Sequence, residues 1–183
     1  MGTVAVTWCS ARGPDPLPRA VAAWCGTDEG TVTVGRLCPR CGSSRHGAPV
    51  AAVRSRPAPW VSVSRHGGLV LVAVTDLGPV GIDVETDTAV AFEGVPWTVA
   101  EAVLKAHGTG FATRPDGPGL RALVAGCQVV GLTAPPGTVA TLAVLTSSPP
   151  GVRVEHLNRA GAAGSGRSTT APSTPPPEHR SGR

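Results

Sequence analysis

Val61-Ser62-Val63-Ser64 alternate apolar with polar side chains, the period-two pattern of a half-buried strand over residues 60–64. Arg65-His66-Gly67-Gly68 supply turn chemistry, and the apolar run 69–74 followed by Thr75 predicts a buried strand, so the three pieces read as a hairpin. Shorter β-branched runs predict strands at 3–8 and 31–34, with a helix from about Pro18 to Trp24 between them. Residues 38–49 are rich in Gly, Ser and Arg and read as a loop. Residues 80–85 predict another strand. Pro96 is suited to open a helix that runs to His107, where Gly108-Thr109-Gly110 stops it. Late strands are predicted at 123–124, 128–132 and 139–145, with Pro135-Pro136-Gly137 turning between the last two.

This mixture predicts an α+β fold of two small, related lobes, about 1–70 and 71–157, each an antiparallel sheet packed by a helix. Beyond about Asn158 the chain turns to Gly, Ala, Ser, Thr, Pro and Arg, too poor in apolar side chains to offset the entropy of ordering, so residues 158–183 are expected to be a disordered tail. The longest apolar run is far short of a bilayer span, and the first residues lack the pattern of a signal peptide. The expectation is a cytoplasmic monomer with reduced thiols, since Cys9, Cys25, Cys38, Cys41 and Cys127 are odd in number.

The formal net charge of +4 hides a division along the chain. Between Glu29 and Asp76 no acid occurs, while Arg36, Arg40, Arg45, Arg54, Arg56 and Arg65 all fall there. Asp76, Asp83, Glu85, Asp87, Glu93 and Glu101 crowd the following stretch. One half suits anions and the other cations. Nucleic acid is not the expected anion, because no binding motif accompanies the arginines and aromatics for stacking are scarce.

Side chains alternate faces along a strand, so Asp83 and Glu85 point the same way while Ile82 and Val84 pack on the other side. On a helix Trp97, Glu101 and Lys105 form one stripe at four-residue steps. Three carboxylates and a lysine suit Mg²⁺ with a phosphate-bearing ligand, because Mg²⁺ takes hard oxygen ligands and is completed by phosphates and water. Taken singly these features have plain explanations. An Asp-x-Glu is usually a surface feature, Glu101 with Lys105 is an ordinary i,i+4 pair, and Trp97 is a packing residue.

Taken in order, they carry a resemblance. His46-Gly47-Ala48-Pro49, then Val61-Ser62-Val63-Ser64-Arg65, then Val80-Gly81-Ile82-Asp83-Val84-Glu85, then Trp97-x3-Glu101-x3-Lys105 with Gly108-x-Gly110, resembles the Sfp-type 4′-phosphopantetheinyl transferases over most of residues 30–145. The resemblance implies a transferase that binds coenzyme A and Mg²⁺ and modifies a serine of an acyl or peptidyl carrier protein, releasing 3′,5′-adenosine bisphosphate. It implies Asp83, Glu85 and Glu101 as metal ligands, Glu101 also as proton acceptor, and Lys105 against the pyrophosphate. It implies Ser64 and Arg65 at the places where the family's Ser-His pair contacts the nucleotide phosphates. Because arginine is a forked phosphate ligand, Arg65 with Arg45 or His46 is expected to hold the 3′-phosphate in place of the usual residues. The chain departs from the family pattern at Ala48, where a lysine is usual, at Arg65, where a histidine is usual, and at Ala100. The interval 86–96, where the family docks its carrier, is short.

Cys38-Pro39-Arg40-Cys41 with His46 behind it is half of a zinc knuckle, for which Cys25 or Cys9 is available as fourth ligand. With only one CxxC, the expectation is a reduced, cysteine-rich loop. A zinc-stabilised binding module or a non-catalytic homologue on the same scaffold is the alternative to the enzyme.

Overall fold

Both faces of the apolar run 69–74 are buried, and this organises the molecule. The computed structural model describes residues 2–87, 91–110 and 114–156; the tail expected over 158–183 lies outside the described residues. Strand β1 (Thr3–Ser10) is followed by helix α1 (Leu17–Cys25), β2 (Val32–Leu37), β3 (Ala48–Val53), β4 (Trp60–His66), β5 (Leu69–Thr75) and β6 (Val80–Thr86). Then come the two-residue strands β7 (Ala91–Phe92) and β8 (Val95–Pro96), helices α2 (Trp97–Ala106) and α3 (Gly117–Ala125), and strands β9 (Gln128–Leu132), β10 (Thr138–Val144) and β11 (Gly151–His156).

The first sheet has the order β11-β1-β5-β4 and the second β6-β10-β9; β2 with β3, and β7 with β8, form separate ribbons. Val70, Val72 and Val74 of β5 pack with Leu17 and Val21 of α1 and with Ala51 and Val53 of β3. Leu71 and Ala73, on the opposite face, join Val4, Val6 and Trp8 of β1 and meet Ile82, Val84 and Leu142 of the second sheet. Ala102, Val103 and Ala106 of α2 cover the far face of that sheet at Ala143. The α+β expectation therefore holds, with three α-helices among the described residues and small, mainly antiparallel sheets.

Several local expectations change. β11 runs parallel to β1, in register Thr3 with Gly151 through Trp8 with His156, a pairing between distant segments that no local pattern announces. The predicted strand at 123–124 is instead the last turn of α3, whose start is capped by the Asp116 carboxylate accepting from the Gly119 N–H at 2.8 Å. Gly117-Pro118-Gly119 reads as a turn locally, but the cap and Pro118 near the N-terminus favour helix. The loop predicted over 38–49 gives up its end to β3, which pairs antiparallel with β2.

Candidate functional site

Strand β4 meets β6 side by side through side chains rather than a backbone ladder. The Ser62 Oγ accepts from the Ile82 N–H at 3.1 Å, and the Ser64 Oγ accepts from the Val84 N–H at 3.4 Å. These contacts advance in step along both strands, so β4 and β6 run in the same direction where they touch. Two buried backbone donors at the edge of the second sheet are thereby satisfied. One step further, His66 Nδ1 lies 2.8 Å from Glu85 Oε2.

Asp83 projects into this seam and is 1% exposed. Its Oδ1 accepts from Ser64 Oγ at 2.8 Å and from Lys105 Nζ at 2.9 Å. Its Oδ2 is buried and accepts no hydrogen bond. Burial pushes the Asp83 carboxyl above its ordinary pKa, and the Lys105 ammonium, acting the other way, offsets only part of the effect.

Lys105 comes from α2, the helix that backs β6. A Cβ at Gly81 would collide with the Ala102 carbonyl and the Ala106 N–H, so glycine is what lets α2 lie directly on β6. The close approach carries Lys105 Nζ to the Ile82 carbonyl at 3.0 Å and to Glu101 Oε1 at 3.0 Å. The predicted stripe of Glu101 and Lys105 thus faces the predicted acid face of the strand. One oxygen each from Asp83, Glu85 and Glu101 lies within 4.8 Å of the others. Three carboxylates, one holding a buried oxygen with no partner, fit a small divalent cation that takes oxygen ligands.

Lys105 also lines a cavity of about 520 Å³, together with Arg36, Arg40, His46, Ser62 and Gly108. A cation at the carboxylates and an anion in this cavity would share Lys105 as a wall. Ser64 stands with the carboxylates as a donor to Asp83, and His46 stands on the cavity wall. Arg65 takes the other side of β4, where its guanidinium pairs with Asp15 at 3.3 Å and both side chains are about half exposed. Arg45 is exposed in the loop before β3, and the arginines on the cavity wall are Arg36 and Arg40.

The partner of Glu85, His66, escapes a sequence reading because His66-Gly67-Gly68 looks like turn. The available signal was the two-residue step Ser62, Ser64, His66, which puts all three on one face once the strand extends to residue 66.

On the wall of the same cavity, Cys38, Cys41 and His46 form a second group whose ligand atoms lie within 4.8 Å of one another. The backbone N–H groups of Cys41 and Arg40 are directed at the Cys38 thiol and hold its pKa below the ordinary value. Among the described residues neither Cys9 nor Cys25 belongs to this group, which corrects the expected source of a fourth ligand. Cys9 Sγ lies instead 3.8 Å from the Val70 carbonyl, in the first sheet.

No protein-family model matches the chain, and no curated protein is significantly similar to it. Among the described residues no helix is long and apolar enough to cross a membrane.

Proposed function

We propose that the protein transfers the 4′-phosphopantetheine group of coenzyme A to a serine of an acyl or peptidyl carrier protein, with Mg²⁺ as cofactor and 3′,5′-adenosine bisphosphate as leaving group. We infer with it a fold of the phosphopantetheinyl transferase type, acting as a monomer in the cytoplasm. One observation carries the reading. One oxygen each from Asp83, Glu85 and Glu101, carried by a strand and a helix, lies within 4.8 Å of the others; Asp83 keeps a buried, unpartnered oxygen, Lys105 pairs with Asp83 and Glu101, and a cavity edged by Arg36 and Arg40 adjoins them. The order of the four motifs along the chain supports the same assignment.

Asp83, Glu85 and Glu101 would hold the Mg²⁺, which supplies charge neutralisation to a pyrophosphate when bound. The residues of the chain do the rest. The cavity takes the nucleotide end of coenzyme A, where Arg36 and Arg40 offer forked guanidinium donors to phosphate. Lys105 turns its ammonium toward the pyrophosphate as negative charge builds on the departing oxygen. The carrier serine oxygen attacks the β-phosphorus, the bond from that phosphorus to the bridging oxygen breaks, and Glu101 accepts the serine proton directly or through a water. Ser64 is a positioning residue, since its hydroxyl fixes Asp83 Oδ1.

A second reading, a zinc-stabilised binding module without catalysis, is favoured by one observation, the gathering of Cys38, Cys41 and His46. Incubating the full chain with coenzyme A and a panel of apo carrier proteins separates the two. Magnesium-dependent release of 3′,5′-adenosine bisphosphate with a mass gain on the carrier serine supports the transferase. Binding of coenzyme A with no transfer to any carrier leaves the module.

A further inference from the structure

The loop joining β2 to β3 reverses direction within a few residues and is closed by its own backbone hydrogen bonds. Cys38 donates its N–H to the Ser43 carbonyl at 2.9 Å, and the Gly42 N–H returns to the Cys38 carbonyl at 2.8 Å. Gly42 sits at φ +70, which a side chain would strain, immediately after Cys41. This closed turn brings both thiols to one side, where one ligand atom each from Cys38, Cys41 and His46 lies within 4.8 Å of the others.

His46 completes the set from the far arm of the loop. Its Nε2 lies 3.4 Å from Cys41 Sγ. A tetrahedral zinc with Zn–S of about 2.3 Å and Zn–N of about 2.0 Å separates sulfur from nitrogen by about 3.5 Å, so the observed spacing is already that of two ligands of one ion. Gly47 at φ +111 lies so close to Leu37 that an added Cβ would strike its carbonyl, and the Arg36 guanidinium donates to the Gly47 carbonyl at 3.0 Å. The two arms are thus pinned together directly beside His46.

We propose that Cys38, Cys41 and His46 bind one Zn²⁺, with the fourth position open to the cavity that these residues share with Lys105. Two thiolates and a neutral imidazole make the bound ion electrically neutral overall. Its role is therefore to brace the wall that carries Arg36 and Arg40, rather than to add positive charge to it. This goes beyond the transferase reading and does not depend on it, because the carboxylates and the thiols are separate clusters with different ligand chemistry. Hard oxygen donors suit Mg²⁺, whereas thiolate and imidazole select zinc.

The test is metal content of the full chain, purified without a metal-affinity step and without chelator. The expected result is about one zinc per chain, the stoichiometry of a single tetrahedral site. Asp83→Asn combined with Glu85→Gln should keep that zinc, and Cys38→Ser combined with Cys41→Ser should lose it. Should the cysteine variant fail to fold, His46→Ala decides. Changing an outer-shell partner typically weakens metal binding about 10- to 100-fold, so losing a direct ligand should weaken zinc at least about tenfold. Cobalt added to the chelator-stripped wild-type chain should give the strong near-ultraviolet absorption of a thiolate-bound ion, reduced on addition of one equivalent of zinc. No zinc in the wild type and no thiolate absorption with cobalt would overturn the proposal. So would zinc lost with Asp83 and Glu85 but retained without Cys38 and Cys41.

Discussion

Lys105 Nζ sits 2.9 Å from Asp83 Oδ1, joining an ammonium that is 23% exposed to a carboxylate that is 1% exposed. The same nitrogen reaches Glu101 and the Ile82 carbonyl. Lys105 therefore acts as an internal counterion that holds two acids together before any metal arrives. The carboxylate cluster is built to tolerate its own repulsion.

The catalytic expectation follows from this convergence. Asp83→Asn and Glu101→Gln should each lower turnover by at least about 100-fold, the scale on which charge stabilisation and proton transfer each contribute. Raising Mg²⁺ should partly restore Asp83→Asn, whose loss is in cation affinity, and should not restore Glu101→Gln. Transfer to carrier protein at near wild-type rates in both variants, with coenzyme A still bound, would remove the carboxylates from the chemistry.

Asp83 should also make the protein's stability depend on pH. Its folded-state pKa is raised by burial, so its contribution to folding is present below the unfolded-state pKa and is lost as pH rises through the folded value. Without metal, ionising the buried group opposes folding. Asp83→Asn should therefore unfold at higher urea than the wild type in excess chelator at pH 7, and the difference should close as the pH is lowered. A lower urea midpoint for the variant at pH 7 would show that the charge is fully compensated by Lys105.

Replacing Lys105 by Met should act in the opposite sense. It leaves Asp83 and Glu101 without their shared cation and the Ile82 carbonyl without its donor, a loss of about 3–5 kcal/mol on the scale of a broken buried pair. Protonation of Asp83 relieves this, so chemical denaturation at pH 7 and in mild acid should show the deficit shrinking as pH falls. Mg²⁺ should recover part of it at pH 7.

Gly81→Ala should destabilise the fold by about 3 kcal/mol or more, because the new Cβ meets backbone of α2 rather than a flexible side chain. Cation affinity should fall with it, as α2 and its Glu101 are displaced from β6. Calorimetry of Mg²⁺ binding alongside denaturation checks both effects.

The sequence by itself determined the parts of the site that depend on local periodicity. A two-residue step puts Asp83 and Glu85 on one strand face, and a four-residue step puts Glu101 and Lys105 on one helix stripe, wherever those elements lie. It also determined that 69–74 would be buried, since no polar side chain interrupts the run. Only the tertiary structure decided that α2 lies on β6 at Gly81, that Ser62 and Ser64 satisfy the edge of β6, and that His66 reaches Glu85. Each of these joins residues about twenty positions apart, and nothing in a local pattern encodes which neighbour a strand edge will meet. The separation of Arg65 from the carboxylates has the same cause, because a one-residue step on β4 moves a side chain to the opposite face. The parallel β1–β11 pair is the extreme case, since its partners come from the two ends of the described chain and are matched by the shape and apolar surface of the assembled core.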